Sequence, residues 1–449
     1  MIIKAYDVRG TVPDQLNETV AGALGRAFAQ TLKERGEDRG SIVVAHDMRE
    51  SGPALVDAFT LGVRGEGIDV IHAGLGSTDL LYYASGSLDV PGAMFTASHN
   101  PAQYNGIKLC FAGAKPVGQD SGLAQIRERA QRLLNDGTPM PDPAGRIERR
   151  EMLADYAEYL HKLVGLSHIR PLKVVVDAGN GMGGYTVPAV LGTVSALTIV
   201  PLYFELDGSF PNHEANPLEP ANLVDLQKAV VEHRADLGLA FDGDADRCFV
   251  VDADGDPVSP SAVTALVAAR ELLKHPGSTI IHNLITSSAV PEIVRERGGT
   301  PVRTRVGHSF IKAEMARTGA VFGGEHSAHY YFRDFWGADT GMLAAMHVLA
   351  ALGEASKPLA ELAREFERYA ASGEINSRVS DQAGKLAEVR RHFAAEAQDE
   401  LDGLTVSFPD GAWINLRPSN TEPLLRLNVE APTPERMSEL RDQVLAIVR

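Results

Sequence analysis

KVVVDAGNGMGG, Lys173 to Gly184, decides the fold class. Its valine run fits a short strand buried on both faces, and the glycine-rich turn behind it opens onto a helical pattern. Gly179, Gly181 and Gly184 also satisfy G-x-G-x-x-G, the fingerprint of dinucleotide sites. A lone match in mid-chain is weak, so the segment reads as a tight strand-to-helix connection and not as an NAD site.

The same punctuation recurs on both sides. Ser41–Ala45 runs into HDMRES, and Thr279–Ile281 runs into HNLITSS. Ala/Leu-rich periodic segments separate these runs, a pattern that predicts βαβ units and three similar mixed α/β domains. Pro and Gly cluster at Asp136 to Gly145 (DGTPMPDPAG), a surface linker by composition. It closes a first domain at 1–148, and the helical pattern Glu151 to Val164 opens a second at 149–253. The turn at Asp254-Gly255 begins a third at 254–368, and a boundary near Arg368 to Asn376 leaves a fourth at 369–449. In that last segment an Ala/Glu/Arg-rich helical stretch precedes Leu404–Phe408 and Leu424–Val429, which alternate like strands. A smaller α+β cap domain is expected there.

Composition narrows the function. With 449 residues, 44% of them hydrophobic, the chain is long enough for several packed domains. Its 43 basic and 59 acidic side chains give a net charge of −16, which excludes a general binder of nucleic acid or anionic membrane. A small anion in a locally basic cleft stays compatible. Cys110 and Cys248 make no disulfide framework, so a reducing compartment is expected. The start MIIKAYDVRG has no basic segment followed by an apolar one, and the longest apolar stretch, Met342 to Leu352, is too short to span a bilayer. Together these point to a cytoplasmic protein with no membrane partner.

The strongest chemical signal is Asp242-Gly-Asp244-Ala-Asp246-Arg247, directly after the apolar run Leu237–Phe241. Three carboxylates at alternate positions repel one another unless a hard cation such as Mg²⁺ joins them. Asp252-Ala-Asp254-Gly-Asp256, close behind, reads instead as a solvated hairpin turn. A rival reading makes Asp242 the nucleophile of a DxDx-type phosphatase, although Asp246 stands where that signature has Thr or Val.

Three aspartates on a divalent ion leave room for a phosphate oxygen, and Ser98 in TASHNP (Thr96 to Pro101) is the candidate carrier. By composition alone TASHNP is a polar turn before proline. His99 and Lys108 are expected near the same loop. Arg417-Pro-Ser-Asn-Thr-Glu422 brings a guanidinium, hydroxyls and an amide into one short turn, a cradle for an oxyanion. In Gly323-Gly-Glu-His-Ser-Ala-His329, Glu325 and Ser327 offer partners for sugar hydroxyls.

These loops, in this order, resemble the α-D-phosphohexomutase family, and within it the bacterial phosphomannomutase/phosphoglucomutase branch. The resemblance spans the chain, from Ala5–Gly10 (AYDVRG) through TASHNP, DGDADR, Val306–Ser309 (VGHS) and GEHSAH to RPSNTEP. It implies four domains around a central cleft, three alike and one smaller cap. It implies a phosphorylated Ser98 that completes a Mg²⁺ site with Asp242, Asp244 and Asp246. Glu325 and Ser327 would grip sugar hydroxyls, and Arg417, Ser419, Asn420 and Thr421 would hold the phosphate that is not reacting. Tyr6, Arg9, Lys108, Arg247, Gly307, His308 and His329 match positions around the cleft, with Lys108 and His308 the candidate acid and base.

The implied reaction moves a phosphoryl group between O6 and O1 of mannose phosphate, with glucose phosphates also accepted, through a hexose 1,6-bisphosphate that also serves as activator. Sugar phosphates are the expected partners of a monomer or homodimer. Two alternatives are carried forward, a phosphoglucosamine mutase of the same family and a sugar phosphatase with Asp242 as nucleophile. One departure stands out. Ile281–Ile285 has no lysine where the family carries one, which leaves Arg303 or Arg305 as the replacement.

Overall fold

The computed structural model describes residues 7–419 and 423–449. The contacts divide it into two compact units, one running through Val258 with Ser327–Leu362 added, the other made of Ser259–His326 and Ala363–Arg449.

The valine run behaves as its sequence demands. Val174, Val175 and Val176 are fully buried in the strand Leu172–Asp177, flanked in parallel by Leu197–Leu202 and Leu237–Phe241. A parallel strand covered on both faces has no solvent side to spare for polar residues. Its turn delivers the chain into the helix Gly183–Val190, so the G-x-G-x-x-G match is a strand-to-helix connection. Beyond Leu237–Phe241 the sheet reverses direction into Cys248–Asp252, which pairs antiparallel and then hairpins into Pro257–Val258. The hairpin turn is the expected one: Asp252 Oδ1 accepts the N–H groups of Asp254 and Asp256, at 3.0 Å each.

The first sheet repeats that plan. Ser41–His46 lies parallel to Asp69–Leu75 and Gly92–Phe95, and Gly92–Phe95 is followed by the antiparallel strand Tyr104–Phe111, whose far edge holds Val8–Thr11. Helices Glu18–Arg35 and Gly52–Gly65 cover one face, with Phe59 edge-on to Phe95 at 5.3 Å between ring centres. The proline-rich linker carries no regular structure but is not loose. Gly145 N donates to Arg64 O at 3.1 Å, and the next strand, Ile147–Arg149, returns to pair with Asp69–Leu75. The apolar run Met342–Leu352 sits inside the buried helix Gly341–Glu354. Among the described residues no helix is long and apolar enough to cross a membrane.

The second unit carries a parallel group, Thr300–Thr304 beside Thr279–Asn283 beside Phe322–Gly324. It also carries an antiparallel sheet built on Leu404–Ser407, Trp413–Pro418 and Leu424–Ala431. Leu416, Leu427 and Val429 of that sheet pack with Leu440 and Val444 of the closing helix Pro434–Val448.

One placement recurs in both units. TASHNP leaves the last parallel strand of the first sheet, DGDADR the last parallel strand of the second, and GEHSAH the end of Phe322–Gly324. Each loop contains one non-glycine residue with left-handed backbone: Ser98 at φ 49°, Ala245 at φ 59° and Ala328 at φ 64°. Such a residue costs about 1–2 kcal/mol, so each loop is held in shape by its surroundings.

Candidate active site

The acidic loop is sealed. Asp242, Asp244, Asp246 and Arg247 are each at most 2% exposed. Within the loop Arg247 closes on Asp242, its backbone N–H at 3.1 Å from Oδ1 and its Nε at 2.9 Å from Oδ2. Burial works against the Arg247 charge, but the Asp242 and Asp246 carboxylates outweigh it and hold the guanidinium above its ordinary range.

Ser98 comes to this loop from 144 residues away, and its Oγ donates to Asp242 Oδ2 at 2.8 Å. The approach needs Gly243, because a Cβ there would lie 2.5 Å from the Ser98 carbonyl oxygen. Gly181 of the valine-strand turn meets the same peptide from behind, with Gly243 O 2.7 Å from where its Cβ would be. The sequence match dismissed as a dinucleotide fingerprint therefore seats the acidic loop.

Lys108 projects from the antiparallel strand Tyr104–Phe111, and its ammonium lies 2.7 Å from Asp244 Oδ2 and 2.6 Å from Asp246 Oδ2. Burial pulls its pKa down, yet the two aspartates more than reverse this and hold it well above the usual lysine range. The pair acts on Asp244 in the opposite sense, outweighing burial to hold that carboxyl far below its ordinary value. Asp242 differs. Burial, only partly opposed by Arg247, pushes it up to about 7.

The residues fit a divalent cation. Oxygens of Asp242, Asp244 and Asp246 lie within 4.8 Å of one another. Asp244 Oδ1 and Asp246 Oδ1 are buried and accept no hydrogen bond from the described residues. Buried carboxylate oxygens without donors are costly, and hard all-oxygen ligation is the chemistry that satisfies them.

Within the first unit, other expected residues gather here. Arg9 Nη1 donates to Asn100 Oδ1 of the serine loop at 2.5 Å. His329 Nε2 faces Asp246 Oδ1 at 3.7 Å, and its Nδ1 lies 3.0 Å from Ser327 Oγ. In the second unit, Gly307 caps the helix His308–Thr318, and its N–H donates to Glu325 Oε1 at 3.0 Å. Arg417 Nη2 reaches Glu374 Oε2 at 2.5 Å, and Ser419 N donates to Leu424 O at 2.8 Å. Tyr6, Asn420 and Thr421 lie outside the described residues. Of the two candidate replacements for the family lysine, Arg303 is engaged by Asp399 at 2.8 Å and Thr405 at 3.2 Å. Arg305 stacks on Phe310 at 4.6 Å.

Sequence reasoning missed a layer beneath the aspartates. Thr78 N donates to Asp244 O at 3.0 Å, and Thr78 Oγ1 donates to Asp244 Oδ2 at 2.5 Å. Asp79 beside it, 1% exposed, accepts from Tyr156 Oη and Thr340 Oγ1 at 2.7 Å each and from Ser77 Oγ. Burial raises Asp79 to about 6 against those donors. In the sequence, Ser77-Thr78-Asp79 is only a helix start, and nothing local reports a partner far along the chain.

His99 is the serine loop's nearest base, its Nδ1 3.3 Å from Ser98 Oγ and 2.6 Å from Arg247 Nη2. Burial and the Arg247 charge keep it well below the ordinary imidazole range, so the ring is neutral.

Comparisons with known proteins match the chain along nearly its whole length. Models of the four phosphoglucomutase/phosphomannomutase domains match in order: alpha/beta/alpha domain I over residues 1–135, domain II over 154–255, domain III over 260–369 and the C-terminal domain over 374–447. A phosphomannomutase of Salmonella montevideo is 41% identical over 95% of this chain and 94% of its own length. Phosphohexose mutases of Xanthomonas campestris pv. campestris are 40% identical over 99% of this chain and 98% of their own. Among solved structures, a phosphoglucomutase/phosphomannomutase family protein from Burkholderia thailandensis superposes with a TM-score of 0.89 at 32% identity, covering 100% of this chain and 97% of that one. With four domains matched in sequence along nearly its whole length, this chain is a member of the phosphoglucomutase/phosphomannomutase family, the bacterial branch of the α-D-phosphohexomutases.

Proposed function

We propose that this chain interconverts hexose 6-phosphate and hexose 1-phosphate, mannose phosphates first and glucose phosphates second, through a phosphoserine at Ser98 and a hexose 1,6-bisphosphate. The observation that carries the reading is the 2.8 Å contact between Ser98 Oγ and Asp242, made inside a buried three-aspartate cluster. The 41% and 40% identical relatives, named phosphomannomutase and phosphohexose mutases, support the substrate class.

In the first half-reaction the bond from phosphorus to Ser98 Oγ breaks and a bond to the free sugar hydroxyl forms. The hydroxyl proton leaves to a base, and Ser98 Oγ regains a proton. After the bisphosphate turns over, the second half-reaction runs backwards on the other phosphate. Phosphoryl transfer asks mainly for alignment and charge stabilisation. Asp242, Asp244 and Asp246 would hold Mg²⁺, which when bound supplies Lewis acidity at the phosphoserine.

Lys108 and Arg247 would neutralise the equatorial oxygens. Neutral His99, beside Ser98 Oγ, and the Lys108 ammonium, bonded to Asp244, would exchange the proton. Family likeness assigns His308 the corresponding role in the other direction. It likewise assigns Arg9, Gly307, Glu325, Ser327 and His329 to the sugar, and Arg417, Ser419, Asn420 and Thr421 to the distal phosphate. The domain bounds that go with these roles are 1–148, 149–253, 254–368 and 369–449.

Coupled assays on mannose 1-phosphate, glucose 1-phosphate and glucosamine 1-phosphate test the reading, with mannose and glucose turnover expected. Preference for glucosamine 1-phosphate would move the chain to the phosphoglucosamine branch. Net phosphate release that survives Ser98→Ala would point to Asp242 as nucleophile.

A further inference from the structure

Arg49 invites a wrong guess. A buried arginine behind a phosphoserine loop looks like a phosphate ligand, but its donors are fully committed. All five guanidinium N–H groups face protein oxygens. Nη2 donates to the carbonyls of Ser98 at 2.9 Å and Asn100 at 2.7 Å. Nη1 donates to those of Pro101 and Tyr104, at 2.9 Å each, and Nε reaches Asp47 Oδ2 at 3.3 Å. The guanidinium also lies over the Phe210 ring at 5.2 Å. Phe210 belongs to a turn of the second-sheet domain, whose Gly208 fits against the Arg49 backbone, 2.8 Å from where a Cβ would stand.

We infer that Arg49 is the positioning residue that presents Ser98 for phosphoryl transfer, by pinning four carbonyls of an otherwise strained loop and tying that loop to the domain that carries the aspartates. The Ser98 carbonyl is the shared point, bound by Arg49 on one side and packed against Gly243 on the other. Thr96 Oγ1 accepts the Ser98 N–H at 2.9 Å, so the peptide on each side of the left-handed residue is fixed. A planar five-donor fork suits this task and an ammonium does not, because four carbonyls cannot be served by a point charge with three donors.

The kinetic arm of the test rests on the mutase reading above; the exchange arm does not. Arg49→Lys and Arg49→Met are compared with wild type in three measurements. The first is kcat and KM for hexose phosphate, the second phosphoryl uptake by Ser98 from glucose 1,6-bisphosphate, and the third amide hydrogen exchange of the peptide spanning residues 96–104. A misplaced nucleophile predicts kcat lower by about 100-fold, KM within about threefold, uptake slowed in parallel, and faster exchange in that peptide. Guanidinium ion at millimolar concentration should restore part of the activity of Arg49→Ala and none to Ser98→Ala.

If KM rises while kcat is kept, Arg49 is a phosphate ligand and the inference fails. Unchanged kcat and unchanged exchange overturn it as well. Should the Arg49 variants not fold, Phe210→Leu removes only the ring under the guanidinium. It should lower kcat with KM kept and speed exchange in the same peptide, and no effect on either overturns the inference. An inactive wild type would sink the mutase reading alone, leaving the exchange arm to judge Arg49.

Discussion

The serine loop and the acidic loop occupy the same place in two similar sheets, and they are held in opposite ways. Both leave a parallel strand that borders an antiparallel one, both contain one left-handed non-glycine residue, and both bury that residue. The acidic loop carries its own clamp, since Arg247 bonds Asp242 five residues earlier. The serine loop has no internal cation and borrows Arg49 from the end of a neighbouring strand. A loop that carries metal ligands gains from a fixed internal counter-charge. On the proposed mechanism, a serine that alternates between free and phosphorylated forms would be pulled out of place by such a charge, whereas Arg49 holds the loop through its backbone carbonyls.

The comparison breaks first at Ser98, the nucleophile proposed above. Ser98→Ala should lower mutase turnover by at least about 1000-fold while leaving the thermal midpoint close to wild type, as read by coupled assay and calorimetry. Comparable turnover in the variant would mean that the two loops do not divide the chemistry as described. Asp244→Ala acts on the other loop. Activity should fall about 100-fold, and Mg²⁺ added after chelation should restore wild type but not the variant. Restoration of both would remove the cluster from metal binding.

Asp79 sharpens the contrast, because the buried carboxyl beneath the acidic loop is held by neutral hydroxyls, whereas Asp47 behind the serine loop faces the Arg49 guanidinium. The folded protein raises Asp79 to about 6, so it holds that proton more tightly than the unfolded chain does. The resulting stabilisation is complete below the ordinary carboxylate range and is lost as pH rises through about 6, a loss of about 3 kcal/mol. Denaturant unfolding at about pH 4 and about pH 7 should show a fall in stability larger in wild type than in Asp79→Asn by about that amount, because Asp242 and Asp47, which burial also raises, are present in both. Parallel curves would mean that Asp79 titrates normally. The smallest effect concerns backbone strain. Ala245→Gly relieves a left-handed alanine and should stabilise the fold by about 1 kcal/mol, whereas a loss of stability would show that the Ala245 methyl packs to more effect than its φ costs.

The same asymmetry explains what could be read from the sequence. DGDADR announces itself because its chemistry is local: three acids and their arginine lie within six residues. TASHNP is locally an ordinary turn, and only resemblance to a family raised Ser98 above that reading. Arg49, Thr78 and Asp79 stayed invisible because the partners that decide their roles lie far along the chain: the Ser98 carbonyl for Arg49, the Asp244 carboxylate for Thr78, and the Tyr156 and Thr340 hydroxyls for Asp79.

Among fold elements, the valine run and the alternating strands Leu404–Ser407 and Leu424–Ala431 were plain, since burial on one or both faces writes itself as periodicity. Trp413–Pro418 was not. Asn415 and Arg417 interrupt its apolar pattern, and both are buried for polar reasons, Asn415 against Thr405 and Arg417 against Glu374. The helix Pro434–Val448 also escaped, its core face reduced to a thin stripe of Leu440, Val444 and Val448.

Peptide mass analysis of the Ser98 segment, before and after hexose 6-phosphate is added, is the most direct measurement. One phosphoryl group on Ser98 that departs to the sugar as hexose 1,6-bisphosphate is the predicted result. A phosphoryl group captured on Asp242 instead, or full turnover with Ser98 never modified, would contradict the account.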